Sequence, residues 1–437
     1  AGVAARDRTA GTRPTATAQA RWQTPTPPRR PAHCFARDSR CEQVSMTIHV
    51  LLVSDQTLQN LIPALMGRPQ RIFLVVTTEM ARRRADQRLR RQLRQLDAEL
   101  TTCSDCPDAD FARTQAFAHQ VAEQVINAGA DAEIVLNATG GTKLMSIAFV
   151  EAFRGIASRI LYTDTAHRRI EYLPAAHDAR APAPTAMTDV LDVPGYLRAQ
   201  GFQFRGAASD AADWQASAEA RKAACKFLGK HIGDPQLQQF VGALNGLADK
   251  ALERLPDRQA ERLAAPVQSF SYAPRGRWAE AMAVLTQAGV ADWTPGSEYL
   301  RFRDVEAAQF ARGGWLEAYA YHVVRDVGVH DTRLGVTGVW DNEQAMANEF
   351  DVLACHLNQL LFIECKTLRL HDQNDNDIAY KLDSLGEDAR GLFGRTWLLS
   401  AREPTDTLIA RARRARIRLV PPAELQRLRV LVREWQG

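Results

Sequence analysis

The stretch that most constrains this chain lies in its C-terminal quarter and reads NEFDVLACHLNQLLFIECKT. Two apolar, partly alternating runs flank the polar pair Asn358 and Gln359, a pattern that is typical of a β-hairpin with a two-residue loop. Because side chains alternate faces along a strand, Glu364 and Lys366 project on the same side. The register that this loop predicts places Asp351 opposite Lys366, so that all three charged side chains share one face.

Two carboxylates and an ammonium group on one sheet face form a candidate metal site. Carboxylate oxygens suit Mg²⁺ or Mn²⁺, and such an ion lowers the pKa of a bound water and polarises a phosphoryl oxygen. Lys366 would hold the attacking water or neutralise the charge that develops on phosphorus. The alternative is an ordinary cross-strand ion pair in solvent. The apolar flanks predict buried strands, where charges need a specific reason, and this favours the catalytic interpretation.

This arrangement resembles the PD-(D/E)xK restriction-like nuclease core, in which an acidic residue is followed, on the next strand, by E-x-K. Phe350 replaces the proline of the family's name. The resemblance implies a further catalytic glutamate on an earlier helix, and Glu317 in GGWLEAYAYHVV matches that position. It also implies that Asp351 and Glu364 bind the metal together with the backbone carbonyl of Cys365.

A region of alternating strands and helices starts at Met46 and contains the sequence AEIVLNATGGTK. The alternation predicts an α/β domain with a largely parallel sheet, in which ligands gather at the carboxyl ends of the strands. Two loops lie there, residues 53–57 and 137–143. Paired glycines in the second loop let backbone N–H groups approach a polyanion at a helix N-terminus, and Lys143 adds positive charge. An ordinary β-α turn is the alternative, and the absence of G-x-x-x-x-G-K-S/T argues against a nucleoside-triphosphatase.

Both loops resemble those of the CARF domain of CRISPR-associated proteins, in which a strand leads into a short polar loop and a later strand runs into N-x-T-G-G-T-K. The resemblance implies a homodimeric Rossmann-like domain that binds a cyclic oligoadenylate across its two-fold axis. Carried over by position, the implied ligand contacts are Ser54, Gln56, Thr139, Gly140, Gly141, Thr142 and Lys143.

Composition is that of a soluble globular protein of two to three domains, with 437 residues, 46% of them hydrophobic and 24% charged. The net charge of +4 is small, so nucleic-acid binding depends on local clusters. The arginines of residues 411–418 form either a solvated helix face or a track for phosphates. No apolar run is long enough to span a membrane. The seven cysteines show no disulfide framework, which favours a cytoplasmic protein.

The predicted organisation has five parts. Residues 1–45, rich in Arg, Pro, Thr and Ala and ahead of the first methionine, are a disordered or misassigned N-terminal extension, with a transit peptide as the alternative. The other parts are a ligand-sensing CARF domain at 46–176, a linker at 177–190, a helical spacer at 191–297 and a restriction-like nuclease domain at 298–437. The fold class is α/β, with a Rossmann-like CARF domain, the spacer and an α/β/α nuclease core that residues 378–401 complete with a helix and a strand.

The order of these parts resembles the CRISPR-associated nucleases of type III systems that are switched on by cyclic tetra-adenylate. It implies a dimeric endonuclease that depends on Mg²⁺ or Mn²⁺ and cleaves DNA, RNA or both in antiviral defence. One alternative is a ligand-sensing, DNA-binding regulator with an inert nuclease-like domain, which the intact Asp351, Glu364 and Lys366 argue against. The other is a stand-alone restriction or repair nuclease, whose activity would not require a cyclic oligoadenylate.

Overall fold

The computed structural model of the protein describes residues 46–177, 179–255, 260–341, 347–367, 391 and 394–437. The predicted N-terminal extension at 1–45 and the predicted helix that begins at residue 378 lie outside the described residues. None of the described helices combines the length and the apolar character that crossing a membrane requires.

The N-terminal region is built on a seven-stranded sheet. Its strands are β1 (Thr47–Leu52), β2 (Arg71–Val75), β3 (Glu99–Cys103), β4 (Glu133–Asn137), β5 (Arg159–Asp164), β6 (Arg169–Leu173) and β7 (Thr185–Ala186). Its helices are α1 (Leu58–Gly67), α2 (Thr78–Arg82), α3 (Ala85–Leu93), α4 (Phe111–Ala128) and α5 (Lys143–Phe153). The sheet order is β3-β2-β1-β4-β5-β6-β7, and the first five strands pair in parallel. The predicted α/β region with a largely parallel sheet is confirmed.

Strand β1 lies at the centre of the five parallel strands, and nearly all of its residues, TIHVLL, are buried. A strand that helices cover on both faces needs apolar side chains at successive positions. From β1 the chain adds β2 and β3 on one side, and then places β4 and β5 on the other. The direction of winding reverses between β1 and β4, and ligands in such sheets bind beyond the carboxyl ends of the strands at that reversal.

The segment predicted as a helical spacer contains both helices and strands. Its helices are α6 (Val193–Ala199), α7 (Ala212–His231), α8 (Pro235–Ala251) and α9 (Arg277–Gln287). Its strands are β8 (Phe202–Ala207), β9 (Leu252–Arg254), β10 (Glu261–Leu263), β11 (Val267–Ser269) and β12 (Ala291–Asp292), and β13 (Tyr299–Phe302) follows. Strands β9 and β10 form one small sheet, and β11, β13 and β12 form another. Strands β9 to β12 have two or three residues and are too short to show an alternating pattern. Strand β8 has six residues, FQFRGA, and no strand was predicted there.

The C-terminal region is built on a six-stranded sheet of order β18-β17-β16-β15-β14-β8, with β8 contributed by the spacer. The other strands are β14 (Asp331–Trp340), β15 (Asn348–His356), β16 (Gln359–Lys366), β17 (Gly394–Ser400) and β18 (Arg418–Val420). The helices are α10 (Val305–Gln309), α11 (Trp315–Val327), α12 (Asp406–Arg414), α13 (Pro422–Leu425) and α14 (Leu428–Gln436). Residues 378–401 were predicted to contribute a helix and a strand, and β17 is a strand within this range.

Both faces of the C-terminal sheet are buried. Val352 and Ile363 belong to one hydrophobic core together with α11, whereas Leu353 and Phe362 belong to a second core. The second core also contains side chains of α1 and α6, including the fully buried Tyr196. The hydrophobic core of the C-terminal sheet therefore continues into the N-terminal region.

The hairpin formed by β15 and β16 turns at Leu357 and Asn358, so the predicted loop at Asn358 and Gln359 is wrong by one residue. Both turn residues have positive φ angles, 46° for Leu357 and 58° for Asn358, as a two-residue type I′ loop requires. His356 consequently pairs with Gln359.

This turn shifts the strand register by two residues from the prediction. Continuing the observed pairing places Asp351 opposite Glu364, where the sequence had predicted Lys366. A shift of one residue would move every side chain to the other face, but a shift of two restores the original faces. The three charged residues therefore share one face, as predicted, although the predicted register was wrong by two residues.

Contacts from outside the hairpin fix the turn. The Asn358 side chain is fully buried, accepts the N–H groups of Val190 and Leu191 at 3.0 and 3.2 Å, and donates to the carbonyl oxygen of Thr188 at 2.7 Å. The carboxylate of Asp189 accepts the N–H of the other turn residue. The predicted linker thus joins the first sheet through β7 and then holds the hairpin turn.

We expect Asn358→Ala to lower the free energy of unfolding by about 3 kcal/mol, because the buried N–H of Leu191 loses its partner, at a cost of about 1–3 kcal/mol, and water only partly replaces the hydrogen bonds to Val190 and Thr188. Denaturant unfolding followed by circular dichroism measures the change. Asn127→Ala, at an exposed position of α4, is the control and should change stability by less than about 0.5 kcal/mol. Equal, small effects of both substitutions would contradict the structural role of Asn358.

Candidate functional site

Four charged side chains predicted from the sequence meet where the hairpin opens. Glu317 lies on α11, Asp351 on β15, and Glu364 and Lys366 on β16. The paired register of the two strands ends beside Asp351, and its Oδ2 accepts the backbone N–H of Cys365 at 2.7 Å. Lys366 Nζ donates to Oε1 of the buried Glu364 at 2.6 Å.

The four groups share one electrostatic environment. Burial, and then the Glu349 and Glu364 carboxylates, raise the pKa of Glu317 to about 7. Burial, followed by Glu364 and Glu317, raises the pKa of Asp351 well above its usual range. Burial alone would lower the pKa of Lys366, but the Glu364 and Asp351 carboxylates raise it. Negative charge therefore outweighs the single ammonium group at this site.

This donor set fits a hard divalent cation. Carboxylates that raise one another's pKa are stabilised by a neighbouring cation, and Mg²⁺ and Mn²⁺ prefer oxygen ligands. The predicted ligands, Asp351, Glu364 and the carbonyl of Cys365, include only two side chains. Accordingly, the part of the chain that the structure describes has no group of three or more His, Cys, Asp or Glu side chains arranged as a metal cage. A cation held here would complete its coordination with water or substrate oxygens.

Helix α11 approaches the end of β16 closely because of a glycine. A π-helical segment, Phe310–Gly314, joins α10 to α11 and is kinked at Gly313. A Cβ atom added to Gly313 would lie 2.8 Å from Oγ1 of Thr367, and that hydroxyl donates to the carbonyl oxygen of Arg312 at 3.4 Å. This contact brings Glu317 toward Lys366. The sequence signal for this close approach is the double glycine just before Glu317, although its role could not be predicted from the motif alone.

The two predicted ligand loops lie side by side at the carboxyl ends of β1 and β4, which are adjacent strands. Gly140 is buried, and an added Cβ would collide with the carbonyl oxygen of Leu52. Gly141 has a φ of 73°, a conformation that favours glycine. Gly140 therefore allows the two loops to pack closely. The sequence had predicted a different reason for this glycine, namely the approach of a polyanion to the backbone.

A chain of buried hydrogen bonds supports this crevice. Asn60 donates to the carbonyl oxygen of Leu52 at 2.7 Å, and Asn137 donates to Asn60 at 3.0 Å. The Thr139 hydroxyl donates to Asn137 at 2.6 Å and accepts the N–H of Thr163 at 2.8 Å. Sequence reasoning missed Asn60 and Thr163, for which the signal was a polar residue within an apolar helix or strand.

The remaining predicted ligand residues surround the same crevice. The Ser54 hydroxyl is buried and has no hydrogen-bond partner among the residues that the structure describes, and Gln56 is half-buried. Thr142 caps α5 by accepting the N–H of Met145 at 3.2 Å. Lys143 is exposed in the first turn of α5. The structure thus gathers the predicted residues into two groups, one on each of the two large sheets.

Comparison with protein families separates the same two groups. Residues 48–196 match the family model for the Card1 CARF domain, and residues 304–437 match the model for the Card1-like endonuclease domain. The chain is a CARF-domain protein with a Card1-like endonuclease domain. The CARF match contains both crevice loops, and the endonuclease match contains all four charged residues at the open end of the hairpin.

Two solved structures have a similar fold. Protein VC1899 from Vibrio cholerae is 22% identical, with 89% of this chain and 98% of that chain covered and a TM-score of 0.73. Can2 from Sulfobacillus thermosulfidooxidans, solved in complex with cyclic tetra-adenylate, is 24% identical, with 90% and 99% covered and a TM-score of 0.66. At these identities the likeness shows the fold. None of the curated proteins compared with the chain matches it.

We expect Gly313→Ala to lower the nuclease rate at least about tenfold, because the added methyl group pushes the start of α11 away from Thr367 and a displacement of about 1 Å can cost about 10²-fold. Adding Thr367→Ala to the same chain removes the clashing hydroxyl and should restore most of the rate. Cleavage of a labelled oligonucleotide measures both.

Gly314→Ala is the matched control, because its added Cβ comes no nearer than 3.4 Å to the carbonyl oxygen of Gln309. Equal losses in the two single variants, or no recovery in the double variant, would show that Gly313 does not position Glu317.

Proposed function

We propose that the chain is a metal-dependent endonuclease that a cyclic oligoadenylate, most simply cyclic tetra-adenylate, switches on in type III CRISPR antiviral defence. The observation that carries the proposal is the cluster that Glu317, Asp351 and Lys366, each partly buried, form with the buried Glu364. Buried charges cost free energy unless they serve a purpose, and the cluster follows the D…E-x-K order of PD-(D/E)xK nucleases. A regulator with an inert nuclease-like domain would have no need of it.

Each residue of the cluster has a distinct role in hydrolysing a phosphodiester bond of DNA or RNA. Asp351, Glu364 and the carbonyl of Cys365 would hold Mg²⁺ or Mn²⁺, which when bound polarises the phosphoryl oxygen and acidifies water. Lys366 neutralises the charge that develops on phosphorus. Glu317, on the helix side of the cluster, orients the attacking water and accepts its proton.

The activator would bind in the CARF crevice. Backbone N–H groups at the start of α5 and the exposed Lys143 suit a phosphate group. The Ser54 hydroxyl and the Gln56 amide offer hydrogen bonds from the facing loop. The Thr139 side chain is already engaged in supporting the crevice, so Thr139 to Thr142 would contact the activator mainly through their backbone. The related Can2 was solved with cyclic tetra-adenylate bound, which supports this choice of activator.

A homodimer would present each crevice loop twice. Leu144 and Ile147, both on α5 directly after the loop, are 39% and 53% exposed. Residues three apart lie on one helix face, and an exposed apolar face beside a binding loop suits a two-fold interface. A cyclic ligand of matching symmetry would then bind across the axis and favour the active arrangement of the two endonuclease domains.

Lysine substitutions should separate the sensor from the nuclease. We expect Lys366→Ala to lower the saturated cleavage rate about 10²-fold or more, because a transition-state contact is lost, while leaving cyclic tetra-adenylate binding unchanged. Lys143→Ala should weaken binding and raise the activator concentration required, with the saturated rate unchanged. Binding by calorimetry and cleavage of labelled DNA and RNA measure the two effects.

Lys230→Ala, at an exposed position of α7, controls for the loss of a surface charge and should affect neither measurement. Wild-type cleavage by Lys366→Ala would refute the active-site assignment. Wild-type binding by Lys143→Ala would place the sensor elsewhere, and cleavage that needs no cyclic ligand would favour a stand-alone nuclease.

Metal dependence gives a second expectation. EDTA should abolish cleavage and added Mg²⁺ or Mn²⁺ should restore it, whereas Ca²⁺ should bind without supporting the reaction. Asp351→Asn keeps an oxygen that accepts the Cys365 N–H but removes a charge, so it should fold normally and lose Mn²⁺ binding in a calorimetric titration. Cleavage that persists in excess EDTA would rule out this mechanism.

A further inference from the structure

A cleft of about 490 Å³ adjoins the charged cluster, and Glu317 is the one described residue of its lining to which the function proposed above gives a role. It lies between α7, the kinked segment from α10 to α11, and the strands β14 and β15. Glu317 belongs both to the cleft wall and to the charged cluster, so an occupant of the cleft would lie next to the reacting phosphate. The volume falls within the range of about 300–1,000 Å³ that is typical of small-ligand sites.

The cleft has fixed aromatic walls. Trp214 is only partly buried, and the buried Tyr321 packs edge-on against it, with the ring centroids 5.1 Å apart and the planes at 88°. On the α10 side, the guanidinium of Arg221 lies 5.6 Å from the ring centroid of Phe310. A partly exposed indole that a second ring holds in place is a suitable platform for a flat group.

The charges in the cleft disfavour a phosphate group. Its carboxylates are those of Asp213, Glu306, Glu317 and Glu349. Among the described residues that line the cleft, Arg221 is the one strong base, and its guanidinium already lies 3.6 Å from a carboxylate oxygen of Asp304. A phosphodiester would be repelled, whereas an uncharged aromatic group would be accepted.

We propose that this cleft is a nucleobase subsite, in which the base of a nucleotide beside the scissile phosphate stacks on Trp214. The inference rests on the proposed nuclease function and adds a residue that binds the substrate. A nucleobase is flat, uncharged and apolar on its faces, and base–aromatic stacking tolerates any sequence because every base has a π face. The base must be unstacked and unpaired to enter, so the strand is distorted or single-stranded at this point.

Abasic substrates test the subsite without changing the protein. In a single-stranded oligonucleotide, a tetrahydrofuran residue replaces one nucleotide at a time around the main cleavage position, which removes the base and keeps every phosphate. With saturating cyclic tetra-adenylate and Mn²⁺, we expect one position beside the cleavage site to lose about tenfold in kcat/KM, the scale of one base–aromatic stack. No sensitive position would overturn the proposal.

A double-mutant cycle then assigns the lost contact to Trp214. Trp214→Leu keeps an apolar side chain against Tyr321 but removes the flat ring, so the intact oligonucleotide should lose about tenfold while the abasic one loses nothing further. Trp214→Phe should keep most of the stacking. Equal losses on intact and abasic oligonucleotides would mean that Trp214 does not contact the base and would overturn the proposal.

A control variant and a binding measurement test whether the effect belongs to Trp214 and to the missing base. Trp278→Ala, a partly buried tryptophan on α9 outside the cleft, should leave the ratio of intact to abasic cleavage unchanged. Fluorescence anisotropy with the full-length Glu364→Gln chain measures the binding of the same oligonucleotides without cleavage. If no condition supports cleavage, the proposed nuclease function fails, and the abasic discrimination in binding still decides whether the subsite exists.

Discussion

The hydrogen bond from the Cys365 N–H to the Asp351 carboxylate governs the arrangement of the charged cluster in the endonuclease domain. It forms where the pairing of β15 and β16 ends. At this point the Asp351 side chain replaces a backbone acceptor for the Cys365 N–H, and the two strands separate. Lys366 and Glu364 meet in that opening, and α11 can approach it because Gly313 has no side chain. Burial of the sheet on both faces desolvates these charges, which makes their mutual interaction strong.

The CARF domain and the endonuclease domain share hydrophobic packing. The core that contains Leu353 and Phe362 of the hairpin also contains side chains of α1, which starts at the crevice, and of α6. The residues around Asp189 that follow β7 hold the hairpin turn from the same side. A displacement of α1 or α6 would therefore change the packing of the strands that carry Asp351, Glu364 and Lys366. A closely packed core has few alternative packings. A small displacement of one domain can therefore change the conformation of the other.

The sequence predicted the features that depend on local periodicity. Alternation along the strands grouped Asp351, Glu364 and Lys366, and the two-residue error in register kept them on one face. The run of strand and helix patterns predicted the parallel sheet with its two crevice loops. Local sequence patterns could not predict long-range contacts. Leu357, and not Gln359, shares the turn with Asn358, because residues far away in sequence bind the N–H of Leu357 and the side chain of Asn358. Likewise, Gly140 is required by the position of Leu52, which no local pattern reveals.

The place of β8 limits how freely the two halves can be exchanged between related proteins. This strand precedes α7 in the chain, yet it forms the outer strand of the endonuclease sheet by pairing with β14. A fragment that starts at residue 298 would leave the N–H and C=O groups of β14 without their neighbour. Exposed strand edges recruit other strands, so such a fragment would tend to self-associate, and a working chimera has to carry β8 together with the nuclease that it completes.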